Sequence, residues 1–247
     1  MGDPATGMTG KVVDSVVHTS VATFYSNLVT RPTGRAVRSA IEEQLQGGRG
    51  RCVSVLDFSQ VGVLDFSCAD EVIAKLLRRY LRSDRPSDAF FIVQGVLEHH
   101  RDPIDAVLRR HNLLLVAVES GRPALWGPAP GRLRAAWDCL DRMGRLGASE
   151  FASTYGVNQA TASSWLRRLV NWRVAVPESF DSFSSLPAVL SRRDGGEAPE
   201  AGRYPAAAEE MAPYGPEPSG GDGHPRPSGD TDPYPSAPGG SKPLPAY

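Results

Sequence analysis

Side chains able to do chemistry fall in two places. The first is 52–71, CVSVLDFSQVGVLDFSCADE, where Asp57 and Asp65 close two short apolar runs and Ser67, Asp70 and Glu71 follow the second. Asp57 and Asp65 end those runs and read as loop or cap residues rather than catalytic acids. Ser67-Cys68-Ala69-Asp70 has capping-box spacing, with Ser67 accepting from the Asp70 N–H and Asp70 reaching back. Asp65, Asp70 and Glu71 are acidic neighbours of Ser67. The second place is 159–173, QATASSWLRRLVNWR. Read as a helix, it turns Gln159, Thr161, Ser163, Ser164 and Arg167 outward. A Gln amide matches an adenine edge and hydroxyls tolerate several bases. Arg168 and Arg173 suit phosphates.

Other chemistries find little support. His99-His100 followed by Asp102 lacks the i, i+4 spacing of a helical ligand pair and reads as a solvated helix start. Cys52, Cys68 and Cys139 are odd in number and widely spaced, which points to a reducing cytosol rather than a disulfide or zinc framework. No phosphate-cradling glycine loop and no GxSxG is present. The expectation is a non-enzyme with neither cofactor nor metal. A net charge of −1 gives no overall pull toward membrane or nucleic acid. The first ten residues lack an apolar leader core, and no run of 18 apolar residues occurs, so a cytoplasmic location without a membrane segment is expected.

These residues need a frame. Residues 11–25 are rich in β-branched and aromatic types and read as one or two strands. Thr30 or Arg31 caps a helix with Pro32 in its first turn and Val37, Ile41 and Leu45 on one face, ending at Gly47-Gly48. Residues 53–58 are apolar enough for a strand covered on both faces. A helix from Ser67 to about Arg82 buries Val72, Ile73, Leu76, Leu77, Tyr80 and Leu81. A strand over 89–96, a helix over 98–111, a strand over 113–118 and a short edge strand over 122–126 follow. Strand and helix alternate, so the fold class is α/β.

On these residues the chain resembles the STAS-like family of unassigned function, related to anti-sigma factor antagonists. The matching positions are Thr30, Arg31 and Gly34; Asp57, Phe58 and Val61; and Ser67, Ala69, Asp70 and Glu71, within 10–126. The resemblance implies a signalling domain and makes Ser67 a candidate phospho-switch for a histidine-kinase-like ATPase partner, with Asp65, Asp70 and Glu71 as a candidate partner surface. A phosphate there would meet free N–H groups and the positive end of the helix dipole. Phe66 and Cys68 depart from the antagonist pattern, which has a second serine and a glycine, and plain capping remains the alternative.

Residues 131–190 have different grammar. Leu133, Ala136, Trp137 and Leu140 fit one helix. Ser149 caps a second, short one, Gly156 makes a turn, and Asn158 caps a third. Phe151, Tyr155, Val157, Ala162 and Trp165 point inward, and Ala152 lies where helices cross. This is a helix-turn-helix. A strand over 173–177, a polar loop over 178–185 and a returning strand over 186–190 would complete a wing. The module resembles winged helix-turn-helix DNA-binding domains, and residues 131–176 hold seven arginines against three acidic residues. DNA is the expected partner, read by a homodimer; a protein-docking adaptor is the alternative. Residues 191–247, with four arginines and one lysine against nine acids and more than half of the 21 prolines, read as a disordered tail.

Overall fold

The computed structural model describes residues 12–46, 48 and 50–193; the expectation of a tail falls, from residue 194 on, outside them. The main sheet has the strand order β1-β3-β5-β6-β7. Strands β1 (Ser15–Ser20), β3 (Arg51–Asp57), β5 (Asp88–Gln94) and β6 (Leu115–Glu119) are parallel, and β7 (Arg122–Trp126) returns antiparallel. The fold is mixed α/β with a mostly parallel sheet. A two-residue parallel ribbon, β2 (Asn27–Leu28) with β4 (Val63–Leu64), extends the helix-start end.

The four parallel strands are used in chain order, and a helical crossover joins each to the next. Helix α1 (Arg31–Gln46) joins β1 to β3, and α4 (Glu98–His111) joins β5 to β6. Between β3 and β5 runs one rod of three segments: α2 (Phe66–Ala69), a π-helical segment (Asp70–Lys75) and α3 (Leu76–Leu81). Crossovers of one hand, stepping in one direction, place every helix on the same face. Accordingly Val37, Ile41, Ile73, Leu76, Ile104 and Val107 share one core with Leu56, Phe91, Val93 and Leu115.

That topology leaves the other face without a crossover helix. Strand side chains alternate, so Val53, Val55, Phe90, Ile92, Leu114, Val116 and Leu125 all point there. Full burial of one such side chain is worth about 1.5–3 kcal/mol, so the face needs a cover. The C-terminal part supplies it. Leu133, Trp137 and Leu140 of α5 (Gly131–Met143), with Leu166 and Leu169 of α7 (Gln159–Asn171), join those sheet residues in a second core. Both parts belong to one compact unit. The remaining C-terminal elements are α6 (Ala148–Tyr155), an antiparallel sheet in the order β8-β10-β9 (Arg145–Gly147, Ser182–Ser185, Ala175–Pro177), and α8 (Leu186–Arg193).

Several expectations are corrected. Residues 186–190 are the start of α8, not a returning strand, the helix continues through 191–193, the expected start of the tail, and β10 occupies the expected loop. Ser185 Oγ accepts from the Ala188 N–H at 3.2 Å, Pro187 sits in the first turn, and Leu186 and Val189 are buried at helical spacing. Helix α6 starts at Ala148 after Gly147, so Ser149 lies within its first turn rather than at its cap. Among the described residues no helix is long and apolar enough to cross a membrane.

Candidate functional site

The start of the helical rod has a different cap from the one expected. Asp65 is the N-cap: its Oδ2 accepts from the Ser67 N–H at 2.9 Å. Ser67 is therefore already in the first turn, and its hydroxyl faces the Asp65 carboxylate. The Ser67 backbone N–H and hydroxyl hold that carboxyl below its ordinary range. Asp70 does not reach back to Ser67. It is buried and turned toward α1 and α4, so the Ser67–Asp70 capping box does not form.

Asp70 and Glu71 instead form a buried charge cluster. Arg31 Nη1 donates to Asp70 Oδ2 at 3.0 Å and to Glu71 Oε1 at 3.1 Å. His111 Nε2 lies 2.7 Å from Asp70 Oδ1. Lys75 pairs with Glu71, and Arg38 Nη2 lies 3.5 Å from Glu71 Oε2. Burial alone would raise both carboxyls, but the bonds from His111 and Arg31 to Asp70, and from Lys75 and Arg31 to Glu71, outweigh it and lower both. Glu71 is 0% exposed. Of the three acids expected as a partner surface, Asp65 alone is exposed.

The π-helical segment begins at this acid pair. Its wider turn is often found at functional positions; here α1 is packed against it. Gly34 allows that approach, since a Cβ there would lie 3.0 Å from Cys68 Cα and 3.0 Å from Glu71 Cβ. Nearby, the expected solvated histidine pair is divided. His99 is exposed with Nε2 2.9 Å from the Gly62 carbonyl, whereas His100 is 0% exposed and desolvation lowers its pKa.

The second place is the pair α6 and α7. Phe151 and Ala162 are buried, Tyr155 stacks on Phe151 at 4.5 Å between centroids, and Trp165 meets it edge-on. Gly156 takes φ +62° at the turn, a conformation that suits glycine. Asn158 caps α7, its Oδ1 accepting from the Thr161 N–H at 2.8 Å, as its spacing requires. Gln159, Ser164, Arg167 and Arg168 are exposed, while Thr161 and Ser163 are half-buried.

Arg173 is not on that surface. Its Nη2 donates to Asp88 Oδ1 at 2.7 Å, its Nε donates to Ala89 O at 2.8 Å, and its guanidinium lies 3.9 Å from the Phe90 ring centroid. A buried guanidinium occupied in this way cannot reach a phosphate. Residue order gave no warning, because Arg173 stands one turn beyond Arg168 and Leu169 at the end of the helix. Two residues missed in the sequence, Phe180 and Asp181, lie against α7; an aromatic in the polar run ESFDS was the available signal. Among the described residues no group of three or more His, Cys, Asp and Glu is placed to hold a metal. No family model matches the sequence, and no curated protein matches it.

Proposed function

We propose that this chain is a transcription regulator in which a STAS-like signalling domain is joined to a winged-helix module that binds duplex DNA. The observation that carries the reading is the α6–Gly156–α7 unit. One side of α7 is buried against α5, α6 and β9, while Gln159, Ser164, Arg167 and Arg168 stay exposed, Gln159 and Arg167 beside the β9–β10 hairpin. That matches how a recognition helix enters a major groove. The parallel sheet with α1, the rod and α4 on one face supports the STAS-like half. In this reading the protein is cytoplasmic, and a kinase-like ATPase or another signalling protein is the partner of that half.

Binding of purified protein to random duplex at 50 and 200 mM salt tests the DNA assignment. Affinity should fall steeply with salt as phosphate contacts are screened; absence of binding at 50 mM would refute it. A protein-docking adaptor is the second reading, favoured by Phe180 at 83% exposure. Salt-insensitive capture of a protein partner without duplex binding would decide for it.

A further inference from the structure

We infer that Phe180 and Asp181, at the tip of the β9–β10 hairpin, are positioning residues that fix which bases α7 reads. This rests on the DNA-binding reading. Gln159, Ser163 and Arg167 are spaced i, i+4, i+8 and lie along one stripe of α7. The hairpin holds both ends of that stripe. At the N-terminal end, Gln159 Nε2 donates to Asp181 Oδ2 at 3.4 Å. Two turns on, Arg167 Nη2 donates to the Phe180 carbonyl at 3.3 Å, and its guanidinium carbon lies 4.5 Å from the Phe180 ring centroid.

The hairpin tip is itself anchored. Asp181 O accepts from the Ala148 N–H at 3.1 Å, at the start of α6, and the Glu178 N–H closes the turn onto Ser182 O at 2.9 Å. Phe180 is 83% exposed, so its ring buries little of its own surface on folding. Its ring gives an otherwise mobile arginine a surface to lie on.

The chemical consequence follows from the donor inventory. Stacked and singly bonded, Arg167 keeps further N–H donors, and a guanidinium held in a plane suits the O6 and N7 acceptors of guanine. Gln159, with its amide N–H2 engaged by Asp181, offers Oε1 as an acceptor to the exocyclic amine of adenine or cytosine. The neighbouring stripe of Ala160, Ser164 and Arg168 has no such support, and among the described residues Arg168 makes no ion pair. The ligand is therefore duplex DNA with a G·C pair facing Arg167, and the hairpin sets sequence preference more than total affinity.

The test is selection from a random duplex library by the full chain, followed by affinities for the selected and a scrambled duplex. Wild type should select a G·C pair that Arg167→Ala no longer selects. Phe180→Ala should lower the preference at that same pair by about three- to tenfold, with scrambled-duplex affinity within about twofold of wild type, and Phe180→Tyr should restore it. An unchanged preference in Phe180→Ala, or an equal loss of affinity for both duplexes, overturns the positioning role while leaving DNA binding intact. No binding of wild type to any duplex overturns both.

Discussion

Arg173 and Asp88 form a 2.7 Å ion pair that joins the end of α7 to the first residue of β5. The Arg173 side chain is 11% exposed. Asp88 also accepts from Arg51 Nε at 3.2 Å, and Arg51 Nη1 donates to Pro177 O at 2.8 Å in β9. Arg173 carries φ +58°, an uncommon conformation for a non-glycine residue, and its tertiary contacts hold it there. The C-terminal part is thus fixed to the sheet by directed charge bonds as well as by the second core.

Breaking a buried pair by removing one partner costs about 3–5 kcal/mol, because the other charge is stranded. Asp88→Ala leaves Arg173 its bond to Ala89 O and its stack on Phe90, so it should cost less, about 2 kcal/mol. Arg173→Lys should not rescue the site, because an ammonium cannot bond Asp88 and Ala89 O while stacking on Phe90. Urea unfolding of both variants checks this, and a Lys variant as stable as wild type would contradict it.

The dependence on pH follows from opposite shifts. Burial raises the Asp88 carboxyl, but Arg173 and Arg51 outweigh it and lower it, as the bonds from His111 and Arg31 do for Asp70 and those from Lys75 and Arg31 for Glu71. The stability from these three groups is present above the unfolded carboxyl values, about pH 4, and is lost as pH falls through the folded values. Asp141 on α5 is shifted the other way: burial raises it, as does the Asp138 charge, against a Ser185 bond. Its contribution is full below the unfolded value and lost as pH rises through the folded one. Asp141→Asn should therefore raise the Tm at pH 7, with the gain shrinking toward pH 3. A constant difference across that range would count against this assignment.

A glycine supplies the third prediction. Gly34→Ala would force a Cβ against Cys68 Cα and Glu71 Cβ, each at 3.0 Å. Overpacking of this kind costs about 1–3 kcal/mol, more than the helix-propensity gain of about 1 kcal/mol from replacing glycine. The net change should be destabilising, with thermal unfolding at pH 7 as the measurement.

Some of this was legible in the sequence, and for physical reasons. Local chemistry reads directly: Asn158 and Gly156 each act within three residues, so spacing alone places cap and turn. Apolar runs on both faces of β3 and β5 announced a sheet covered twice. What covered the second face was not legible, because β-strand alternation says that a partner exists without naming it. The Asp70–Arg31–His111 cluster was hidden for a related reason. Its members are about 40 residues apart along the chain, and the π-helical segment departs from the 3.6-residue period that assigns helix faces. Arg173 read as a surface cation because its partner, Asp88, belongs to the other half of the chain.

The exchange of caps at the start of the rod makes the last prediction. Asp65, not Ser67, holds the first-turn N–H, so Asp65→Ala should cost about 1 kcal/mol. Asp65→Asn should recover most of that, since an amide oxygen also caps. Ser67→Ala removes only a hydroxyl beside the Asp65 carboxylate and should cost less than half as much. The same geometry bears on phosphorylation of Ser67. A phosphate there would compete with Asp65 for the Ser67 N–H and repel its carboxylate. Phosphorylation should therefore loosen the first turn unless Asp65 moves away, and Asp65→Asn should ease that strain. Amide exchange at Ser67 and Cys68, measured on unmodified protein and on protein phosphorylated by an ATP-dependent kinase, reads this directly. Faster exchange in the phosphorylated form, reduced in the Asp65→Asn background, is the expected result; slower exchange would mean that the phosphate caps the helix better than Asp65 does.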